Sequence, residues 1–126
     1  MRILITIPLP DPKLNPNSRC HWAAKVPLKD DQRLSGFAGA HDAIQNCDDI
    51  IHPEKWKEVI LRPNWYSARA GRRDRDNAVA SLKWAFDGIA RYFGVDDEIF
   101  VPYPVRFEVD RENPRVEITM EVEQTN

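Results

Sequence analysis

Asp74 and Asp76 stand two residues apart in the run Arg72-Arg73-Asp74-Arg75-Asp76-Asn77, and a second acidic group, Asp96-Asp97-Glu98, follows further along the chain. Paired carboxylates of this kind suit a hard divalent cation. Mg²⁺ takes oxygen ligands in octahedral geometry, one or two of them carboxylates and the rest water and substrate phosphate. On an extended approach, side chains two apart project to the same side, so Asp74 and Asp76 are expected to share one ion. Arg69, Arg72, Arg73 and Arg75 surround the pair. Guanidinium groups fork onto phosphate oxygens while acids hold the metal, so the chemistry these types serve is phosphodiester hydrolysis on a nucleic acid. Lys83 stands seven residues beyond Asp76, two helical turns away and on the same face, and a helical side chain leans toward the N-terminus. Its ammonium is expected to orient an attacking water or to neutralise charge building on the phosphoryl group. Plainer readings stand beside these: Asp76 or Asn77 as an N-cap, Asp74 in an ion pair with an arginine neighbour, and Lys83 paired with Asp87 at i,i+4.

These residues flank the clearest helical pattern in the chain. Val79, Leu82, Phe86, Ile89 and Phe93 recur at steps of three and four, the stripe of an amphipathic helix, and Gly94 is placed to cap it. If residues 77–93 form one helix, it spans about 25 Å, and the four residues 94–97 return at most about 13 Å. Asp97 is therefore expected out of reach of Asp76 in its own chain. Two such helices packed antiparallel about a two-fold axis would bring Asp97 of one subunit beside Asp74 and Asp76 of the other, which predicts a homodimer with two composite sites.

The remaining elements are simpler to read. Residues 2–9 alternate Ile3, Ile5 and Ile7 with Leu4 and Thr6, a strand pattern, and Pro8, Pro10, Pro12 and Pro16 with Asn15 and Asn17 make residues 8–19 a loop. Leu34, Phe37, Ala38, His41 and Ile44 follow helical spacing over about 30–46, with Asp30 or Asp31 as cap; Gly36 and Gly39 each weaken that helix by up to ~1 kcal/mol. Residues 57–66 read as a second strand, where Pro63 suggests an edge or a bulge. Val105, Phe107 and Val109, a loop at 111–114, and then Val116, Ile118, Met120 and Val122 read as an antiparallel hairpin. Strand, helix, strand, helix, strand, strand defines an α+β single domain, a small mixed sheet with helices on it.

The totals agree with this scale. A chain of 126 residues holds one core, and no stretch approaches the ~18 apolar residues of a membrane span. The opening MRILITIPLP reads as a strand rather than a signal peptide, which gives a cytoplasmic expectation. Cys20 and Cys47 are too few for a disulfide framework, and together with His21, His41 and His52 they lack the short spacings of a zinc site. The net charge is −2, but residues 1–95 carry 15 Lys and Arg against 11 Asp and Glu, a net +4, while residues 96–126 carry 3 against 9, a net −6. The densest basic cluster, Arg69 to Arg75, coincides with the paired acids. Lys25, Lys29 and Arg33 read first as scattered surface charges and, second, as an extension of the nucleic-acid surface, and Trp84 as a core residue or, second, a dimer-seam residue.

Taken together, R-R-D-R-D-N, S-L-K-W-A-F-D-G-I and G-V-D-D resemble the signature of the RusA family of phage-type Holliday junction resolvases, the crossover junction endodeoxyribonucleases. The resemblance is tightest over residues 72–97 and extends weakly to ITIPLP, NPN and the closing RVEITMEV. It implies an α+β homodimer that binds four-way junctions in DNA recombination and repair and makes paired, symmetric, Mg²⁺-dependent cuts. By motif position, Asp74, Asp76 and Asp97 match the metal-binding acids and Lys83 the essential lysine; Asp96 is an alternative to Asp97. In one respect the chain departs from the family, because its lysine follows the second acid by two helical turns instead of one. Three other functions stand beside it: a nuclease for other branched DNA, a non-catalytic phage-type DNA-binding or regulatory protein, and an α+β interaction module with no DNA role.

Overall fold

Ile3, Ile5 and Ile7 point one way from an extended backbone and Arg2, Leu4 and Thr6 the other, so the first strand, β1 (Arg2–Ile7), buries one face and exposes the other. The computed structural model describes residues 1–71 and 75–125, Arg75 through its backbone alone. After β1 come α1 (Trp22–Gln45), β2 (Trp56–Ser67), α2 (Arg75–Ser81), α3 (Lys83–Phe93), β3 (Phe100–Pro102), β4 (Arg106–Val109) and β5 (Arg115–Gln124). The strands form one mixed sheet. β5 lies between β1 and β2, antiparallel to both, and the far edge of β2 takes β3 and then β4 in parallel. Ile5, Ile7, Val59, Leu61, Val116, Ile118 and Met120 form the inner face and meet Leu82, Ala85, Phe86 and Ile89. Burying each of the larger side chains contributes about 1.5–3 kcal/mol. The α+β single domain with helices on a mixed sheet is thus present, and no helix among the described residues is long and apolar enough to cross a membrane.

Two strand expectations need correction. β4 and β5 do not form a hairpin: they flank β2 on opposite sides, because both edges of β5 are already occupied by β1 and β2. The connection passes the end of β2, where the Asp110 N–H donates to the Ser67 carbonyl at 2.8 Å. Arg115 Nη1 donates to Asp110 Oδ2 at 2.8 Å and holds that carboxyl below the usual carboxylate range. Pro63 lies in a strand paired on both sides, not at an edge. Its missing N–H is tolerated because pairing along that side of β2 stops at Leu61 with β3 and resumes at Asn64 with β4.

The helices depart further. α1 starts at Trp22, where His21 Nδ1 accepts the Ala23 N–H at 3.1 Å; Asp30 lies inside the helix and pairs with Arg33 at 2.6 Å. Pro27 removes one helical donor near the exposed N-terminal end, where solvent can satisfy the carbonyl left over. The inward face is also not the expected one. Leu34 and Phe37 are 66% and 44% exposed, while Gln32, Gly36, Gly39 and Ala40 are buried. Close backbone approach explains the choice. A methyl group on Gly36 would run into the Ala85 carbonyl, one on Gly88 into the Arg33 carbonyl, and one on Gly39 would come within 2.8 Å of the Thr6 carbonyl. The glycines that weaken α1 as an isolated helix are what let it pack on α3 and β1.

The helix expected over residues 77–93 is two helices with Leu82 between them. In an unbroken helix the Ala85 N–H would bond the Ser81 carbonyl. Here the buried Gln32 side chain stands between them, accepting from Ala85 N at 3.0 Å and donating to Ser81 O at 2.7 Å. A side chain inserted into the hydrogen-bond ladder bends a helix, and both backbone groups remain satisfied. At the far end Gly94 has φ +68° and caps α3 as expected.

Candidate active site

The bend between α2 and α3 decides where the sequence-assigned residues fall. Asp76 is the second residue of α2 and is exposed in its first turn, where a carboxylate suits the helix dipole. The helix has begun by Arg75, so Asp76 does not lie on the extended approach expected for a pair with Asp74. Arg72, Arg73, Asp74 and the side chain of Arg75 lie outside the described residues. Lys83 opens α3, and Asp97 opens the 3-10 turn Asp97–Ile99 that leads into β3.

Lys83 and Asp97 line one open groove of about 290 Å³, with Val79, Ala80, Phe86 and Phe100 among its walls. Val79 and Ala80 follow Asp76 by three and four residues, so Asp76 sits one helical turn from the groove wall, where side chains are neighbours at about 5–6 Å. α3 alone rises only about 16 Å over its 11 residues, and the chain beyond Gly94 doubles back along it. The unbroken helix behind the two-subunit expectation is therefore absent, and one chain places Asp97 and Lys83 in the same groove, one turn from Asp76.

Local hydrogen bonds separate the acids by role. Asp96 Oδ1 accepts the Glu98 N–H at 2.9 Å as the cap of the turn, whereas the Asp97 carboxylate makes no hydrogen bond or ion pair among the described residues. Asp87 binds Arg33 at 2.9 Å and Arg91 at 3.3 Å and leaves Lys83 to the groove, so the i,i+4 pair is not formed. No group of three His, Cys, Asp or Glu residues is gathered among the described residues. Asp97 in the groove and Asp76 beside it offer carboxylate oxygens only, and no His or Cys lines the groove, a donor chemistry that fits Mg²⁺ rather than zinc.

Arg69 falls elsewhere, on the exposed loop after β2. It lines a cavity of about 410 Å³ between the Pro/Asn loop and the end of α2, with Asp11, Asn15, Trp65 and Ser81. A larger cavity of about 660 Å³ lies over the outer face of the sheet, but Glu121 there is within 2.9 Å of Arg62 and 3.6 Å of Arg2. One residue that matters to the site, Gln32, escaped the sequence reading, and a second, Trp84, is not where the sequence puts it. Gln32 carries a signal in retrospect, since Gln32, Gly36 and Gly39 recur at helical spacing as a stripe too small and polar for an ordinary core. Trp84 is half-buried, not a core residue: its neighbours Ala85 and Phe86 take the inward positions, and its ring lies within 4.8 Å of Lys29 Nζ, Arg33 Cζ and Lys83 Nζ.

No family model matches the chain. A protein of Xylella fastidiosa (strain Temecula1 / ATCC 700964), described as an uncharacterized protein, is 29% identical over 116 residues, which span 92% of this chain and 74% of that one. Among solved structures, the OmpA-like domain of FopA1 from Francisella tularensis subsp. tularensis SCHU S4 aligns with a TM-score of 0.39 and 12% identity, covering 99% of this chain and 77% of that chain. At that score the alignment carries no argument about shared fold or function.

Proposed function

We propose that the chain is a Mg²⁺-dependent endodeoxyribonuclease that cuts branched DNA, with the four-way Holliday junction as its substrate. The observation that carries the reading is the groove in which Asp97 and Lys83 of one chain meet beside the turn bearing Asp76. Asp76 and Asp97, with Asp74, would hold the ion, which when bound supplies charge neutralisation at the phosphate and a more acidic water. Lys83 faces the same space with a flexible ammonium that orients the phosphate and offsets charge gained in the transition state. Phe86 and Phe100 give the groove a partly apolar wall, which limits water around those charges. Arg69, with Arg72, Arg73 and Arg75, grips flanking backbone, giving binding that follows DNA shape more than sequence.

A homodimer belongs to the proposal, each chain now carrying a whole site, since a four-way junction offers two equivalent strands. The exposed Leu34 and Phe37 on the outside of α1, next to Arg33 and Arg91, form an apolar patch with a charged rim of the kind that marks an association surface. Leu34→Asp is expected to shift the protein from dimer to monomer in light scattering; a wild type that is monomeric at every concentration would remove this part.

The main test is cleavage of a synthetic mobile four-way junction, with and without Mg²⁺, by the wild type, Asp76→Asn and Asp97→Asn. Loss of one ligand removes several kcal/mol of transition-state stabilisation, and each ~1.4 kcal/mol is tenfold, so cleavage should fall at least about 100-fold in either variant. Paired symmetric nicks that need the metal and both acids support a resolvase. Equal cutting of forks and flaps points to a nuclease for other branched DNA, and binding without cutting points to a non-catalytic DNA-binding protein.

A further inference from the structure

Three cations converge on one indole. Lys29 Nζ lies 4.7 Å, Arg33 Cζ 4.6 Å and Lys83 Nζ 4.8 Å from the Trp84 ring centroid, the first two from successive turns of α1 and the third from α3. Arg33 is neutralised locally, by Asp87 at 2.9 Å and Asp30 at 2.6 Å. Lys29 and Lys83 form no ion pair among the described residues, so two ammonium groups flank the ring with no carboxylate between them. Cation–π attraction holds each at the ring, yet two unneutralised like charges drawn to one platform raise the local potential and favour an anion. Lys83 also lines the groove that holds Asp97, so the platform and the groove form one continuous surface.

We propose that Lys29, Lys83 and Trp84 form a backbone-binding surface for the DNA flanking the cut site, with α1 carrying the phosphodiester chain away from the acids. This rests on the reading of the chain as a DNA-cutting enzyme. Trp84 acts here as the platform that sets the lysines, because cations already cover its ring, and the contact is with phosphate and independent of base sequence. The platform is continuous with the groove proposed to hold the cleaved strand, so the flanking phosphates of that strand, and not an acidic protein segment, are the occupant.

The test is equilibrium binding of a fluorescently labelled four-way junction, without Mg²⁺ so that no cutting intervenes, across a series of salt concentrations. Wild type, Lys29→Gln, Lys29→Arg, Trp84→Leu and the control Arg2→Gln, on the outer face of the sheet, are compared after thermal melting confirms each is folded. Each phosphate contact contributes about 0.9 to the slope of log affinity against log salt. Lys29→Gln is expected to lower the slope by about one unit and to weaken binding equally for junctions of different sequence, with Lys29→Arg restoring it and Arg2→Gln leaving it unchanged. Trp84→Leu should weaken binding in the same direction. An unchanged slope and affinity in Lys29→Gln, with salt-dependent binding intact in the wild type, overturns the surface alone. A wild type without salt-dependent affinity for any DNA overturns the enzyme reading beneath it.

Discussion

Gly88→Ala is expected to lower the thermal midpoint by on the order of 10 °C, against the ordinary effect of this substitution. At an unconstrained helix interior, alanine in place of glycine gains up to ~1 kcal/mol. At Gly88 the added methyl meets the Arg33 carbonyl of α1, and backbone, unlike a long side chain, cannot swing away. The two helices must separate, and overpacking of this kind costs about 3 kcal/mol. That is a large part of the ~5–15 kcal/mol that holds a domain of this size together, and it sets the size of the shift. Gly36→Ala, which meets the Ala85 carbonyl from the opposite side, should behave alike. A midpoint equal to or above that of the wild type in a calorimetric scan would show that the helices are not packed this closely.

Gln32→Leu is the second large effect, and its origin is different. The volume is nearly kept, but the Ser81 carbonyl and the Ala85 N–H lose the amide that bridges them in a buried place. Each unsatisfied group costs about 1–3 kcal/mol, so denaturant unfolding should show a loss of roughly 2–5 kcal/mol. The chain has one route of relief, which is to restore the direct bond from Ala85 to Ser81 and straighten α2 onto α3. Straightening moves Asp76 relative to Lys83 and Asp97, so a variant that keeps its stability should instead lose cleavage. Amide exchange at Ala85 separates the two outcomes: fast exchange marks the orphaned group and slow exchange the restored bond. A variant with wild-type stability, exchange and cleavage would mean that Gln32 is not what bends the helix.

What was legible in the sequence follows from how far each residue's role depends on distant partners. β1 and β5 were readable because alternation such as Ile3, Ile5, Ile7 needs only one buried face. The Gly94 cap was readable because a left-handed residue after a helix calls for glycine. The inward face of α1 was not readable: local rules weigh Leu34 and Phe37 above Gly36 and Gly39, and only the approach of α3 reverses that weighting. The break at Leu82 was hidden for a similar reason, since its cause, Gln32, lies about fifty residues earlier in the chain. In the site, Lys83 and Asp97 share one groove and Asp76 lies one helical turn from its wall, an arrangement that depends on a bend the straight-helix reading did not contain. Lys29 was legible only as one of three surface cations that also suited a DNA face, because a lysine on a helix surface is ordinary until the ring it rests on is known.

The placement of β5 between β1 and β2 bears on how the chain emerges during synthesis. β1 is made first and its pairing partner last, from Arg2 with Glu121 to Ile7 with Val116. Until the final ten-residue strand leaves the ribosome, β1 has no partner strand and one edge of β2 is unpaired, so the sheet closes in one late step. A nascent chain stalled before Arg115 should remain sensitive to protease along its whole length. The same pairing sets the start of β1 beside the end of β5, so a short linker between them and a new opening in the exposed loop near Ile50 should yield a permuted chain in which β5 and β1 are made consecutively as a hairpin.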